Sequence, residues 1–201
     1  SFRNGESNNV NYQVNLGRNS VDQLNFPRQG SNFLLSIKLS PPYSMFDNVD
    51  DYSSLTDQEK YKWVEYYKWK FKATWFSPFT EKLILATKTE FGFLGGYNDQ
   101  LGISPFERFY VGGDGLSGMG YMNDGRELVA LRGYSNNSLS PQTGATIYNK
   151  YTAELRYALS LNPTSTMYAL AFLEAGNAWE DFDNFNPFGI KRSVGVGVKI
   201  M

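Results

Sequence analysis

Tyr67-Lys68-Trp69-Lys70-Phe71-Lys72-Ala73-Thr74-Trp75 alternates without a break, with apolar residues at every odd number and lysine or threonine at every even one. A strand turns successive side chains to opposite faces, so this stretch predicts a strand with one apolar and one cationic face. The same period recurs on either side of it. Val10, Tyr12, Val14 and Leu16 oppose Asn11, Gln13, Asn15 and Gly17; Phe33, Leu35, Ile37 and Leu39 oppose Ser36, Lys38 and Ser40. Downstream, the strand from about Leu83 to Phe93 carries Ala86, Lys88, Glu90 and Gly92 on its polar side. Tyr151, Ala153, Leu155, Tyr157 and Leu159 oppose Thr152, Glu154 and Arg156. The stretch from Met167 to Trp179 is apolar on both faces apart from Glu174 and Asn177. A last strand sets Val194, Val196, Val198 and Ile200 against Ser193, Gly195, Gly197 and Lys199.

The connections between these seven strands alternate in length. Modest links lie around Pro27, at Ser77–Lys82 and at Leu161–Thr166. Long ones run over about Pro41–Tyr66, Gly96–Thr146 and Glu180–Ile190. Short turns at one end and long loops at the other are the pattern of an antiparallel up-and-down transmembrane β-barrel, whereas a Greek-key sandwich has no reason to sort its loops this way. The apolar faces are free of charge, as a lipid-facing wall requires. The lysine row would then line a wet lumen; in a soluble sandwich it would face solvent. A turn centred on Thr80 would set Lys70 opposite Glu90 and Trp75 opposite Leu85. In the first long link, Thr56 and Glu59 have the spacing of a capping box, so a short helix there competes with an early start of the next strand at Tyr61.

Composition agrees with a barrel. Of 201 residues, 16% are aromatic, yet mean hydropathy is negative, because lipid-facing and lumen-facing residues average out. An aromatic-rich sandwich has the same balance. No apolar run is long enough for a transmembrane helix, and the net charge of −1 gives no field for nucleic acid. Histidine and cysteine are both absent, which removes His and Cys metal sites, a Ser-His-Asp triad and a thiol nucleophile. Enzyme readings that survive must rest on carboxylates, lysine or tyrosine, and no metal or cofactor is expected. Seven strands do not close a bacterial barrel, which uses an even number from 8 upward. The chain also stops at Met201 inside an alternating run, so residues 1–201 are expected to be one partial barrel domain cut at both ends.

The loop from Gly96 to Thr146 holds ten of the nineteen glycines, and a connection of about 50 residues is usually functional or disordered. Phe106, Phe109, Tyr110, Tyr121, Leu128, Val129, Leu131 and Tyr134 argue against disorder; they need a surface to pack on, and the barrel interior is nearest. Gly112-Gly113-Asp114-Gly115 has no lysine at P-loop spacing, so its glycines read as turn residues. Pro105-Phe106-Glu107-Arg108-Phe109-Tyr110-Val111-Gly112-Gly113, followed by Leu131-Arg132-Gly133-Tyr134, resembles the sixth extracellular loop of BamA-type outer-membrane assembly factors. Glu154 in Ala153-Glu154-Leu155, Glu174 in Leu173-Glu174-Ala175-Gly176-Asn177-Ala178-Trp179, and Arg192-Ser193-Val194-Gly195-Val196-Gly197 are similar to the strands that follow that loop. Leu131 stands where the family has valine, Glu174 where aspartate is commoner, and about Asp114–Ala130 looks like an insertion.

The resemblance spans about Val10 to Met201. It implies strands eight to fourteen of a sixteen-stranded barrel, without the periplasmic POTRA domains. It further implies a non-enzymatic insertase in the cell outer membrane of a Gram-negative bacterium. Its partners would be outer-membrane lipid, nascent β-barrel substrates and accessory assembly lipoproteins. A polypeptide translocation pore of the two-partner-secretion type would share the Arg-Gly-Tyr motif. A soluble carbohydrate-binding sandwich or glycosidase could instead use Glu154 and Glu174, about 5 Å apart, as acid and nucleophile.

The candidate site residues are Leu131, Arg132, Gly133 and Tyr134 of the loop motif, and Phe106, Phe109, Tyr110, Gly112 and Gly113 as the loop's anchor. Glu154 and Glu174 are the expected luminal partners of Arg132. A turn centred near Thr164 would set Glu154 directly across from Glu174, and opposed carboxylates need a proton or a cation. Arginine can serve both because its planar fork stays charged. Arg156, on the same face as Glu154, is the rival partner, with Arg126 a second.

Overall fold

The computed structural model describes residues 6–47, 49, 51–114, 126–162 and 165–200. Tyr121, Gly115, Thr164 and Met201 lie outside these residues. Among the described residues nine strands form: β1 Tyr12–Asn19, β2 Gly30–Leu39, β3 Tyr67–Pro78, β4 Leu83–Gly95, β5 Phe109–Val111, β6 Glu127–Val129, β7 Ile147–Asn162, β8 Ser165–Trp179 and β9 Lys191–Ile200. Seven of them make one sheet in the order β1-β2-β3-β4-β7-β8-β9, with each neighbouring pair antiparallel. The sheet is not closed: β1 and β9 are its two edges. It is a partial up-and-down barrel. β5 and β6 pair in parallel inside the long loop.

In the first long link, α1 is a single turn, Asp57–Lys60. Thr56 accepts from the Glu59 amide while the Glu59 carboxylate accepts from the Thr56 amide, so the capping box is complete. β3 therefore begins at Tyr67, not Tyr61.

Two registers differ from the sequence expectation. On β3 and β4, Glu90 faces Lys72, Lys70 faces Gly92, and Trp75 faces Thr87. The amides of Phe79 and Thr80 both reach the Leu83 carbonyl, at 2.9 and 3.1 Å, which centres the turn on Glu81. Moving a turn centre by one residue moves every partner by two, and the period of two preserves the faces. On β7 and β8, Glu154 faces Phe172 while Glu174 faces Thr152, and a register shift lies between Ala158 and Ser160. The two carboxylates are thus diagonal neighbours on one face, not directly opposed.

The sheet's two faces carry different chemistry. The face bearing the loop holds Ser36, Lys68, Glu90, Lys150, Glu154 and Glu174, all buried. The opposite face leaves Trp69, Trp75, Tyr157, Leu173, Val194, Val196 and Val198 exposed. Ala73 belongs to this outer row yet is buried, since it sits between Phe33 and Thr89 on the flanking strands. At the long-loop end the segment after β8 covers part of the outer row: the Phe182 ring lies 4.9 Å from Phe93, and Phe185 lies 4.9 Å from Trp179.

Trp69 and Trp75 are both exposed on the outer face. Six residues at about 3.3 Å each put them roughly 20 Å apart along β3, close to the height of a barrel's apolar band of about 25 Å. Fluorescence of both is expected to be quenched by lipid-borne quenchers placed near the two interfaces, as befits an aromatic girdle. Quenching by aqueous agents alone would contradict that placement.

Candidate functional site

The described parts of the long loop, residues 96–114 and 126–146, fold onto the inner face of the sheet, and its two sequence motifs pair with each other. The Gly112 amide donates to the Val129 carbonyl, Gly113 donates to Tyr134, and Leu131 donates to Gly113, each at 3.0 Å. Phe109, Val111, Val129 and Leu131 are buried in one cluster with Val64, Tyr66, Leu94, Ala145, Tyr148 and Ala178, and Phe106 and Tyr134 pack against it. The Phe109 ring meets Tyr148 edge-on at 4.7 Å. Tyr110 donates its hydroxyl to the Thr143 carbonyl at 3.2 Å. Leu131 is seated where Gly176 leaves room: a Cβ at 176 would lie 2.9 Å from Leu131 Cδ1 and 2.5 Å from the Asn149 carbonyl.

Arg132 follows Leu131 into the lumen. Its Nε reaches Glu174 Oε1 at 3.0 Å, its Nη2 reaches the same oxygen at 2.9 Å, and its amide donates to Glu174 Oε2 at 2.8 Å. The same Nη2 lies 3.2 Å from Glu154 Oε2. The guanidinium stacks 3.6 Å above the Phe172 ring, the residue that faces Glu154 across the strands. Gly133 then turns with φ +86°, a left-handed conformation that favours glycine. Tyr134 donates its hydroxyl to the Arg192 carbonyl at 2.8 Å, tying the loop to β9.

Of the rivals named from sequence, Arg156 joins the site beside Arg132. Arg156 Nε holds Glu154 Oε1 at 2.7 Å, so Glu154 is shared between two arginines. Arg126 lies over the Tyr110 ring at 5.6 Å. Lys150, not singled out from sequence, lies 3.3 Å from Glu174 Oε1 and donates to the Ala130 carbonyl at 2.6 Å. Both carboxylates are thus held by basic groups, Glu174 by Arg132 and Lys150 and Glu154 by Arg132 and Arg156.

A second clamp lies on the opposite side of the lumen. Glu107 meets Lys38 Nζ at 2.6 Å and Lys68 Nζ at 3.3 Å, and Lys68 also donates to its carbonyl at 2.7 Å. Glu127 meets Lys68 at 2.9 Å and Lys70 at 3.0 Å. Glu107 has φ +65°, a conformation that costs a side-chain-bearing residue about 1–2 kcal/mol and is held here by its partners. The loop therefore spans the inner face as a beam, with Arg132 fixed on β7 and β8 and Glu107 and Glu127 fixed on β2 and β3. The signal in the sequence was the lysine row itself, since three inward cations on one strand require anions to meet them.

Burial opposes ionisation of Glu107, but Lys38 and Lys68 outweigh it and hold the carboxyl below the usual range. Lys68 and Lys70 do the same for Glu127. Both folded-state pKa values are lowered, so the clamp's contribution is complete above the ordinary carboxylate pKa of about 4.3. It is lost as pH falls through the lowered values. Limited proteolysis of the loop should accordingly stay flat from neutral pH to about 5 and rise only below about 4. A rise centred near neutral pH would contradict the clamp.

Residues 2–201 match the model of the Omp85 superfamily domain. Among solved structures, the chain is similar to BamA from Haemophilus ducreyi lacking POTRA domains 1–3, at 18% identity and a TM-score of 0.60. That similarity covers 92% of this chain and 35% of the other, so the chain spans about a third of that protein's length. No curated protein matches the sequence. With the family model matched over nearly its whole length and the fold shared, this chain belongs to the Omp85 superfamily.

Proposed function

We propose that this chain is the barrel portion of a non-enzymatic insertase that folds and inserts β-barrel proteins into the bacterial outer membrane. The observation that carries the reading is the loop clamped across the inner face by Arg132 on one side and Glu107 and Glu127 on the other. A lumen occupied in this way leaves the wall, not the centre, as the working surface. An opened wall offers unpaired backbone groups to an incoming strand, and β-augmentation needs nothing more specific at first contact. Its partners are then outer-membrane lipid and nascent barrel polypeptides, with accessory lipoproteins at the periplasmic side. The second reading, a polypeptide translocation pore, shares the same superfamily.

One assay separates them. Full-length protein in lipid vesicles should shorten the folding half-time of a urea-unfolded outer-membrane barrel relative to empty vesicles. Passage of an unfolded polypeptide into the vesicle, with no acceleration of barrel folding, would assign the pore instead.

A further inference from the structure

We propose that the link between β1 and β2, residues 20–29, is an inward-folded plug that covers the luminal face of this sheet at its short-turn end, with Phe26 as the stopper. A tight hairpin needs only about 2–5 residues, and this link is longer because it reaches inward. Phe26 is 1% exposed, while its neighbour Leu24 is 84% exposed. Phe26 packs with Ile84, Ala158 and Tyr168, supported by Phe76 and Leu170, and its ring lies 5.1 Å from Tyr168.

All five of these partners are even-numbered, on the same face as Lys72, Glu90, Arg156 and Glu174. That face is the lumen. A wet lumen calls for polar residues, so an apolar floor at this end needs an apolar occupant, and Phe26 is that occupant. The link is built to hold it there. Asp22 Oδ1 accepts from the Arg28 amide at 2.9 Å and from Gln29 at 3.3 Å, and its other oxygen meets Arg28 Nε at 3.3 Å. Gln23 donates its side-chain amide to the Phe26 carbonyl.

The plug is continuous with the loop clamp. The Arg156 guanidinium lies 5.5 Å from the Phe76 ring and 5.4 Å from the Tyr168 ring, while its Nε holds Glu154. Glu154 also binds Arg132. One column of contacts therefore runs through the lumen from the long-loop end to the short-turn end. Arg156 is the positioning residue between its charged and apolar halves.

The inference rests on the barrel fold and not on what the wall does, so its test and the folding assay fail independently. The chain has no cysteine, and any elsewhere in the full-length protein would be replaced by serine. In nanodiscs, Ala158→Cys beneath Phe26 should react slowly with a water-soluble maleimide, and Leu24→Cys on the exposed side of the same link should react fast. Adding Phe26→Ala should speed labelling of Ala158→Cys about tenfold or more, by raising the open population. Should Ala158→Cys fail to fold, Thr166→Cys replaces it, since Thr166 is 5% exposed at the same end of the lumen. Labelling of the buried cysteine as fast as Leu24→Cys with Phe26 intact, or no change on Phe26→Ala, would overturn the plug.

Discussion

Replacing Arg132 with alanine is expected to cost about 3 kcal/mol and to free the loop while leaving most of the strands intact. Breaking a buried ion pair costs about 3–5 kcal/mol, because the partner is left charged and unpaired. Here the lower end applies. Glu174 would keep Lys150 at 3.3 Å, and Glu154 would keep Arg156 at 2.7 Å. Glu174 nevertheless loses both hydrogen bonds from the Arg132 guanidinium and keeps only the one from the backbone amide of residue 132. Urea unfolding of the full-length protein in vesicles should show the loss. Trypsin should cut within 96–146 long before the strands, which resist because their backbone is paired. Arg132→Lys should recover little, since an ammonium cannot reproduce the fork that serves both carboxylates. A variant with wild-type stability and a protected loop would mean that Arg132 does not hold the loop.

Val196→Arg should lower the stability of the inserted state by about 2–4 kcal/mol, the penalty for arginine at mid-membrane on a barrel exterior. Val196 is 84% exposed on the outer face and is flanked by Ala171 on β8, so an arginine there meets acyl chains. Gly197→Ser, one residue on, should change little: a Cβ at 197 finds only Leu170, at 3.7 Å, on the inner face. Equal effects on folding into bilayers would contradict the assignment of faces. Gly195 is unsuited as the control, because a Cβ there would lie 2.5 Å from the Phe172 ring that stacks on Arg132.

The strands were legible because burial on one face forces a period of two, which survives small errors in position. Tyr67–Trp75 and Ser193–Ile200 show this: their alternation alone predicts β3 and β9 to within a few residues. Register was less legible because it is decided by turn geometry. At Phe79–Leu83 the backbone bonds moved the turn centre from Thr80 to Glu81, and the irregularity at Ala158/Ser160 has no mark in the sequence. Arg132, Glu154 and Glu174 still meet, since a shift of two leaves both carboxylates on the inner face and an arginine reaches diagonal neighbours. Lys38, Lys68 and Lys70 announced a need for anions, but Glu107 and Glu127 lie too far away in sequence for spacing to pair them. Phe26 was invisible for a related reason: a single aromatic in a short link shows no periodicity, and only the fold brings Ile84 and Tyr168 beneath it.

The central claim is that the 96–146 loop is latched inside the barrel by Arg132. An experimental structure of the full-length protein in lipid nanodiscs tests it most directly, through the distances from the Arg132 guanidinium to the two carboxylates. Arg132 Nη2 should lie near 2.9 Å from Glu174 and near 3.2 Å from Glu154, on the side of the sheet away from lipid. Arg132 outside the barrel, more than about 6 Å from both carboxylates, would contradict the account.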